Sequence, residues 1–129
     1  MRCFSEVFEV VQDDLDDLNH VNNVRYVEWI QAISKKHWEK VTTEETRKEM
    51  IWVVRNHHIS YHKSALLGDT ILINTYIDSN KGPISTRIVE IKKKDTDELL
   101  VKGITEWCLL DAVTFRPKRV PEAIQSLFV

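Results

Sequence analysis

The sequence predicts an α+β fold in which one long amphipathic helix packs against an antiparallel sheet of about five strands. Helical periodicity occurs once, in the first third of the chain, and several segments rich in β-forming residues follow it. Short polar turns separate those segments. With 129 residues, 43% of them hydrophobic, the chain has the length of a single domain, residues 1–129, with one core.

The first element is a strand. Residues 4–11 alternate between two faces and are rich in Phe and Val, which is typical of β structure. A polar stretch dense in Asp and Asn follows over residues 12–23 and predicts a loop.

The long helix is predicted over residues 23–39. Tyr26, Ile30, Ile33 and His37 recur at steps of three and four, which places them on one face. Asn22 or Asn23 is suited to cap the helix, because its side chain can accept a hydrogen bond from a free backbone N–H one turn on. Residues 42–49 are polar and predict a second short helix or a loop.

Four β segments follow, and the turns between them are short enough to predict that successive strands pair antiparallel as a meander. Pro117 and Pro121 end the sheet, and a short helix closes the chain at residues 122–128. The last segment is apolar on both faces, whereas one helix covers only one face, so we expect a homodimer or homotetramer. The four segments are residues 51–63, 70–78, 84–94 and 99–110.

Composition excludes several function classes. The formal net charge is −2, and no basic stripe interleaved with aromatic residues is present, so no nucleic-acid partner is expected. No apolar run is long enough to span a bilayer, so no membrane partner is expected either. Residues 1–6 lack the apolar core of a signal peptide, and Cys3 and Cys108 are too few for a disulfide framework. We therefore expect a cytoplasmic protein with two reduced thiols.

The loop before the long helix carries the candidate chemistry. A helix N-terminus exposes backbone N–H groups with partial positive charge, which can stabilise a developing oxyanion. A carboxylate in the preceding loop, such as Asp16, can then activate water or attack a carbonyl directly. The alternative is that the Asp- and Asn-rich stretch forms only turns and caps.

Residues 14–23, together with Tyr26 and Trp29, read D-L-D-x-x-x-H-V-N-N-x-x-Y-x-x-W. This pattern resembles the signature of hotdog-fold thioesterases of the 4-hydroxybenzoyl-CoA thioesterase type, and it is similar to the form in acyl-carrier-protein thioesterases of plants. Weaker similarity continues through residues 61–69 and 107–121. The resemblance implies a hotdog fold, in which a sheet wraps a long central helix, and hydrolysis of the thioester bond of acyl-CoA.

The resemblance also implies roles for individual residues. Asp16 would be the nucleophile or general base, and His20 would orient water or substrate. Asn23 would order the loop and present backbone amides to the thioester carbonyl, while Tyr26 would pack under the site. Leu18 stands where the plant pattern has an asparagine, so no asparagine amide holds substrate at that position.

Other charged residues are secondary candidates for the site. Glu28, one turn into the helix, is the second choice for the catalytic carboxylate, because some hotdog thioesterases use a helix glutamate; its alternative is a solvated helix residue. Five basic residues are candidates to meet CoA phosphates, each with ordinary surface charge as its alternative: Arg55, Lys63, Arg87, Lys118 and Arg119.

Three alternatives to acyl-CoA hydrolysis remain open: an acyl-carrier-protein thioesterase, a non-catalytic acyl-binding hotdog protein, and a hotdog dehydratase or hydratase. The sequence patterns of the last class are absent. A metal site is not expected, because His58 and His62 lie about 13 Å apart along one strand face and His57 points the opposite way. No metal ion or other cofactor is therefore expected.

Overall fold

A computed structural model describes residues 2–129 of the chain. Its sheet has five strands and its longest helix has 19 residues. The elements in chain order are β1 (Phe4–Glu9), α1 (Asn23–Val41), α2 (Glu44–Glu49), β2 (Met50–Tyr61), β3 (Thr70–Lys81), β4 (Ile84–Lys93), β5 (Glu98–Asp111) and α3 (Glu122–Gln125), with short 3₁₀ turns at Gln12–Asp14 and Ser126–Phe128.

The sheet is antiparallel throughout, with the strand order β1-β3-β4-β5-β2. Strands β3, β4 and β5 form the expected meander. The expectation that β2 pairs with β3 is wrong, because β2 pairs along its length with β5 at one edge, while β1 takes the place beside β3.

The connection between β2 and β3 explains that difference. Residues 62–69 do not form a tight hairpin. The backbone N–H groups of His62 and Lys63 bond to the carbonyl of Leu100, and Gly68 N–H bonds to the carbonyl of Val10. The segment therefore crosses from β5 to β1 beneath the start of the helix, and Ala65 within it is completely buried. A connection of this length reaches the far edge of the sheet.

Helix α1 lies across one face of the sheet with the predicted residues inward. Tyr26, Ile30, Ile33 and His37 are all buried. The helix lies close to the sheet at Gly103 on β5, where a Cβ atom would lie 2.9 Å from Cδ1 of Ile30. Because glycine has no side chain there, the helix packs directly on the backbone of the sheet. Among residues 2–129, no helix is both long enough and apolar enough to cross a membrane.

Candidate active site at the start of the long helix

Asp16 opens a tight loop that its own carboxylate holds together. Residues Leu15 and Val21 form an antiparallel bridge, and the N–H of Asp16 donates to the carbonyl of His20 at 2.7 Å. Oδ1 of Asp16 accepts from the N–H of Leu18 at 2.9 Å and from that of His20 at 3.1 Å. Within residues 2–129, Oδ2 accepts no hydrogen bond, so one oxygen of a half-buried, oriented carboxylate stays available.

The first turn of α1 presents a free amide beside this loop. Asn22 is the cap, and its Oδ1 accepts from the N–H of Val24 at 3.0 Å. The side chain of Asn23 is exposed, and its backbone N–H makes no hydrogen bond to any described residue. Asn22 therefore caps the helix, and the N–H of Asn23 has no hydrogen-bond partner among residues 2–129.

Arg25 fixes the loop to the helix. Its Nε lies 3.1 Å from Oδ1 of Asp14, its Nη2 donates to the carbonyl of Asp13 at 2.7 Å, and its Nη1 lies 3.0 Å from Glu28. Oδ2 of Asp14 also accepts from the N–H of Val11. Local sequence does not predict the pair of Arg25 and Asp14, because the two residues are eleven positions apart and no periodic pattern connects them.

The segment between β2 and β3 packs against the same loop. Val21 N–H donates to the carbonyl of Ala65 at 3.0 Å, and His20 forms a bridge with Leu66. The Tyr26 hydroxyl accepts from the N–H of Ala65 at 2.9 Å. Burial raises the pKa of the Tyr26 phenol, and the negative charges of Asp69 and Asp16 add to that rise, so the hydroxyl stays protonated at neutral pH. Tyr26 is buried and contacts the segment that packs against the loop.

The other candidate side chains make no hydrogen bond or ion pair with Asp16 among residues 2–129. The Glu28 side chain is 56% exposed and pairs with Arg25, and Lys63 pairs loosely with Glu98 at 3.5 Å. His20 is exposed on the loop surface. Arg87, expected as one candidate to meet CoA phosphates, is 5% exposed, lies against His37 and Thr75, and makes no hydrogen bond to the Asp16 loop among residues 2–129.

Exposed apolar side chains surround the loop and the helix start. Leu18 is 74% exposed and Val24 is 62% exposed. We call this group the apolar rim; its members are Val11, Leu18, Val24, Leu66 and Leu67. The bridge between His20 and Leu66 and the bond from Gly68 N–H to the carbonyl of Val10 bring together the segments that carry these residues.

The histidines of β2 are arranged as the strand periodicity predicts. His57 faces the helix and its Nδ1 lies 2.8 Å from Oγ1 of Thr105, whereas His58 is exposed on the opposite face. In the part of the chain that the structure describes, no group of three or more His, Cys, Asp or Glu side chains is placed to hold a metal ion.

Comparison of the sequence with known proteins points to one family. The family model described as the acyl-ACP thioesterase N-terminal domain matches residues 1–128. Among curated proteins, the chain is similar to the chloroplastic palmitoyl-acyl carrier protein thioesterase of Gossypium hirsutum, with 23% identity over 85 residues. That match covers 66% of this chain and 21% of the relative, so the chain spans about a fifth of that protein.

Solved structures share the fold. YbaW, a probable thioesterase from Escherichia coli, superposes with a TM-score of 0.86 at 20% identity, covering 95% of this chain and 94% of that one. A 1,4-dihydroxy-2-naphthoyl-CoA thioesterase from Synechocystis superposes with a TM-score of 0.85 at 14% identity, covering 98% and 96%. The expected hotdog architecture is therefore confirmed.

Proposed function

Because the chain belongs to the acyl-ACP thioesterase N-terminal domain family, we propose that it is a thioester hydrolase that cleaves acyl-CoA to a free acid and CoA. The observation that carries this proposal is the position of Asp16. Its carboxylate is held by two backbone amides in the loop that leads into α1, and its second oxygen accepts no hydrogen bond from residues 2–129.

In the proposed reaction, Asp16 supplies the base or the nucleophile. As a base, its free oxygen takes a proton from water while the water oxygen attacks the thioester carbon; the C–S bond then breaks and the thiolate takes the proton. As a nucleophile, the same oxygen attacks directly, CoA thiolate leaves, and water hydrolyses the mixed anhydride. Either route uses the orientation that Leu18 and His20 N–H groups impose on the carboxylate.

The N–H of Asn23 would stabilise the oxyanion that forms during attack. It lies in the first turn of a 19-residue helix, where the helix dipole is positive, and it is free of competing acceptors among residues 2–129. His20, exposed beside Asp16, would orient water or substrate, and Tyr26 would keep the floor of the site in place through Ala65.

Two secondary roles complete the proposal. Lys63 is 63% exposed on the segment that packs against the loop, and it is available to meet a CoA phosphate. Glu28 pairs with Arg25, which braces the loop, so it contributes to the site through Arg25. Because Glu28 is also close to the helix start, it remains the second candidate for the catalytic carboxylate.

The second candidate substrate is an acyl group on acyl carrier protein. The family description and the Gossypium relative favour it, whereas the Synechocystis neighbour acts on a CoA ester. The apolar rim could contact either a second subunit or a carrier protein.

A thiol-release assay tests the function directly. The chain is incubated with acyl-CoA esters of increasing chain length, with 4-hydroxybenzoyl-CoA, and with the same acyl groups on acyl carrier protein, while crotonyl-CoA hydration is followed in parallel. We expect thiol release from CoA esters at catalytic rates. Release from carrier protein alone would transfer the proposal to the second substrate, and binding without release of thiol would contradict hydrolysis altogether.

A further inference from the structure

A cavity of about 370 Å³ lies between the sheet and the C-terminal half of α1, away from the Asp16 loop. It is lined from the helix by Gln31, Ser34, Lys35 and Trp38, of which Gln31, the nearest to the helix start, follows Asn23 by eight residues. At 1.5 Å per residue this is about 12 Å along the helix axis. The volume is in the lower range of pockets that hold small organic ligands.

The lining of this cavity includes a buried arginine that pairs with no carboxylate among residues 2–129. Arg87 on β4 is 5% exposed. Its Nη1 donates to Nδ1 of His37 at 2.9 Å and to Oγ1 of Thr75 at 3.0 Å. Its Nε and Nη2 find no acceptor among residues 2–129, and the side chain lines the cavity. A guanidinium has five N–H donors, so most of them are left for something in the cavity.

Within the described residues no carboxylate pairs with this positive charge; the guanidinium carbon lies 5.7 Å from the centre of the Phe128 ring, a cation–π contact that offsets a buried charge only in part. Burial lowers the pKa of Arg87 to about 10, so the guanidinium is charged at neutral pH. Burial, and then the charge of Arg87, lower the pKa of His37 to about 4, so the imidazole is neutral and accepts the hydrogen bond. The residues that line the cavity include Lys35 and Arg87 but no Asp or Glu. Buried charges in proteins are almost always paired.

A second donor in the cavity wall also lacks an acceptor. Nε1 of Trp107 on β5 is buried and makes no hydrogen bond within residues 2–129. The rest of the lining is mixed. Its apolar part includes Trp38, Trp52 and Phe128, and its uncharged polar residues are Gln31, Ser34, Asn80, Ser85 and Gln125. The cavity thus offers N–H donors and a positive charge beside aromatic and aliphatic side chains. No negatively charged residue lines it.

We propose that this cavity is a binding site for a monocarboxylic acid with an apolar body, whose carboxylate is held by Arg87 and Trp107 and whose body lies against the aromatic walls. A carboxylate accepts bonds from both nitrogens of a guanidinium and can accept a further one from an indole N–H. An amine would be repelled, and a neutral alcohol would leave the charge unpaired. The acid released by a thioester hydrolase has this chemistry, but binding here does not depend on that reaction.

Binding can be measured without any catalysis, because three of the four tryptophans line the cavity. The probes are dodecanoate for alkyl acids, 2-naphthoate for aryl acids, and dodecanol as the uncharged match for dodecanoate. Each is titrated against the intact chain while tryptophan fluorescence and heat of binding are followed. The variants are Arg87→Gln, Trp107→Phe, and Arg116→Gln as a control, since Arg116 is exposed and does not line the cavity.

We expect at least one acid to bind with quenching, and dodecanoate to bind at least about tenfold more tightly than dodecanol if the alkyl acid is the ligand, since hydrogen bonds to charged groups are worth about a factor of ten or more. Arg87→Gln should weaken acid binding by a similar factor, Trp107→Phe by about three- to tenfold, and Arg116→Gln not at all. If Arg87→Gln does not fold, Trp107→Phe and the acid–alcohol comparison decide the matter. No binding of either acid, or acid binding that neither variant weakens, would overturn the proposal, while thioester hydrolysis at Asp16 would stand.

Discussion

Asp14, Asp16 and Asp17 lie within four positions of one loop, yet their environments differ. Asp14 is buried and pairs with Arg25. Asp16 is half-buried with one oxygen bound by two amides, and Asp17 is exposed. The three carboxylates therefore differ in role. Asp14 pairs with Arg25 and stabilises the loop, Asp16 is the proposed catalytic residue, and Asp17 is a solvated surface residue.

We predict that Asp14→Asn lowers the free energy of unfolding by about 1–2 kcal/mol, because it removes the charge that Arg25 neutralises and weakens the bond from Val11 N–H. Asp17→Asn is the matched control and should change it by less than about 0.5 kcal/mol. Urea unfolding followed by circular dichroism measures both. Equal effects of the two substitutions would contradict the structural role of Asp14.

A second prediction at the residue scale concerns how the stability of the fold depends on pH through His37. In the unfolded chain a histidine titrates near its ordinary pKa of 6.5, whereas in the folded protein the pKa of His37 is lowered to about 4 by burial and by Arg87. Between these values only the unfolded chain takes up the proton. The stability that neutral His37 supplies is therefore complete above pH about 6.5 and is lost as the pH falls to about 4, up to about 3 kcal/mol.

The substitution His37→Gln isolates that effect, since glutamine can still accept from Arg87 but does not titrate. The difference in unfolding free energy between wild type and variant should shrink, or reverse in favour of the variant, as the pH falls from 7 to 4. A difference that is constant over this range would show that His37 is not the titrating group.

Some of the candidate site follows from local sequence and some does not. The Asp-rich loop, the helix start and the burial of Tyr26 depend on neighbours a few positions away, so spacing predicts them. The pair Asp14–Arg25, the bond from Ala65 to Tyr26 and the contact of Arg87 with His37 join residues 11 to 50 positions apart. Only the folded chain brings those partners together.

At the scale of elements, the sequence predicts where helices begin and end better than it predicts which strands pair. The long helix ends at Val41, two residues beyond the prediction, and the closing turn follows Pro121 as expected. The position of β2 in the sheet is not predicted, because residues 62–69 contain turn-forming residues that favour a hairpin. In the fold these residues pack under the helix instead. Their route depends on contacts with Val10, Val21 and Leu100, which no local pattern shows.

The close contact between helix and sheet at Gly103 predicts how side chains of different size at this position change the stability of the fold. Gly103→Val should destabilise the fold by about 1–3 kcal/mol, because its side chain needs space that Ile30 fills completely. Gly103→Ala should cost less, since the atom in its way, Cδ1 of Ile30, is the end of a flexible side chain. Thermal unfolding compares the two, and a valine that is tolerated as well as alanine would contradict this packing.

At the scale of the whole molecule, the apolar rim and the outer face of β5 suggest self-association. The outer face carries Ile104, Cys108 and Leu110, and α1 does not cover it because the helix packs on the other side of the sheet. These three side chains are only half-buried. We predict a homodimer or a dimer of dimers with the Asp16 loop near the boundary, where a second subunit would cover the rim. Light scattering at micromolar concentration should detect no dominant monomer, and a stable, active monomer would contradict the prediction.

The proposed activity depends on Asp16, and its turnover is the most direct measurement. Asp16→Asn keeps an oxygen that can accept from Leu18 and His20, so the loop should survive while basicity is lost. We predict that kcat for the best thioester falls by about 10²–10⁴ with little change in KM. Near-native turnover in Asp16→Asn, with activity abolished instead in Glu28→Gln, would contradict the assignment and move the chemistry to the helix glutamate.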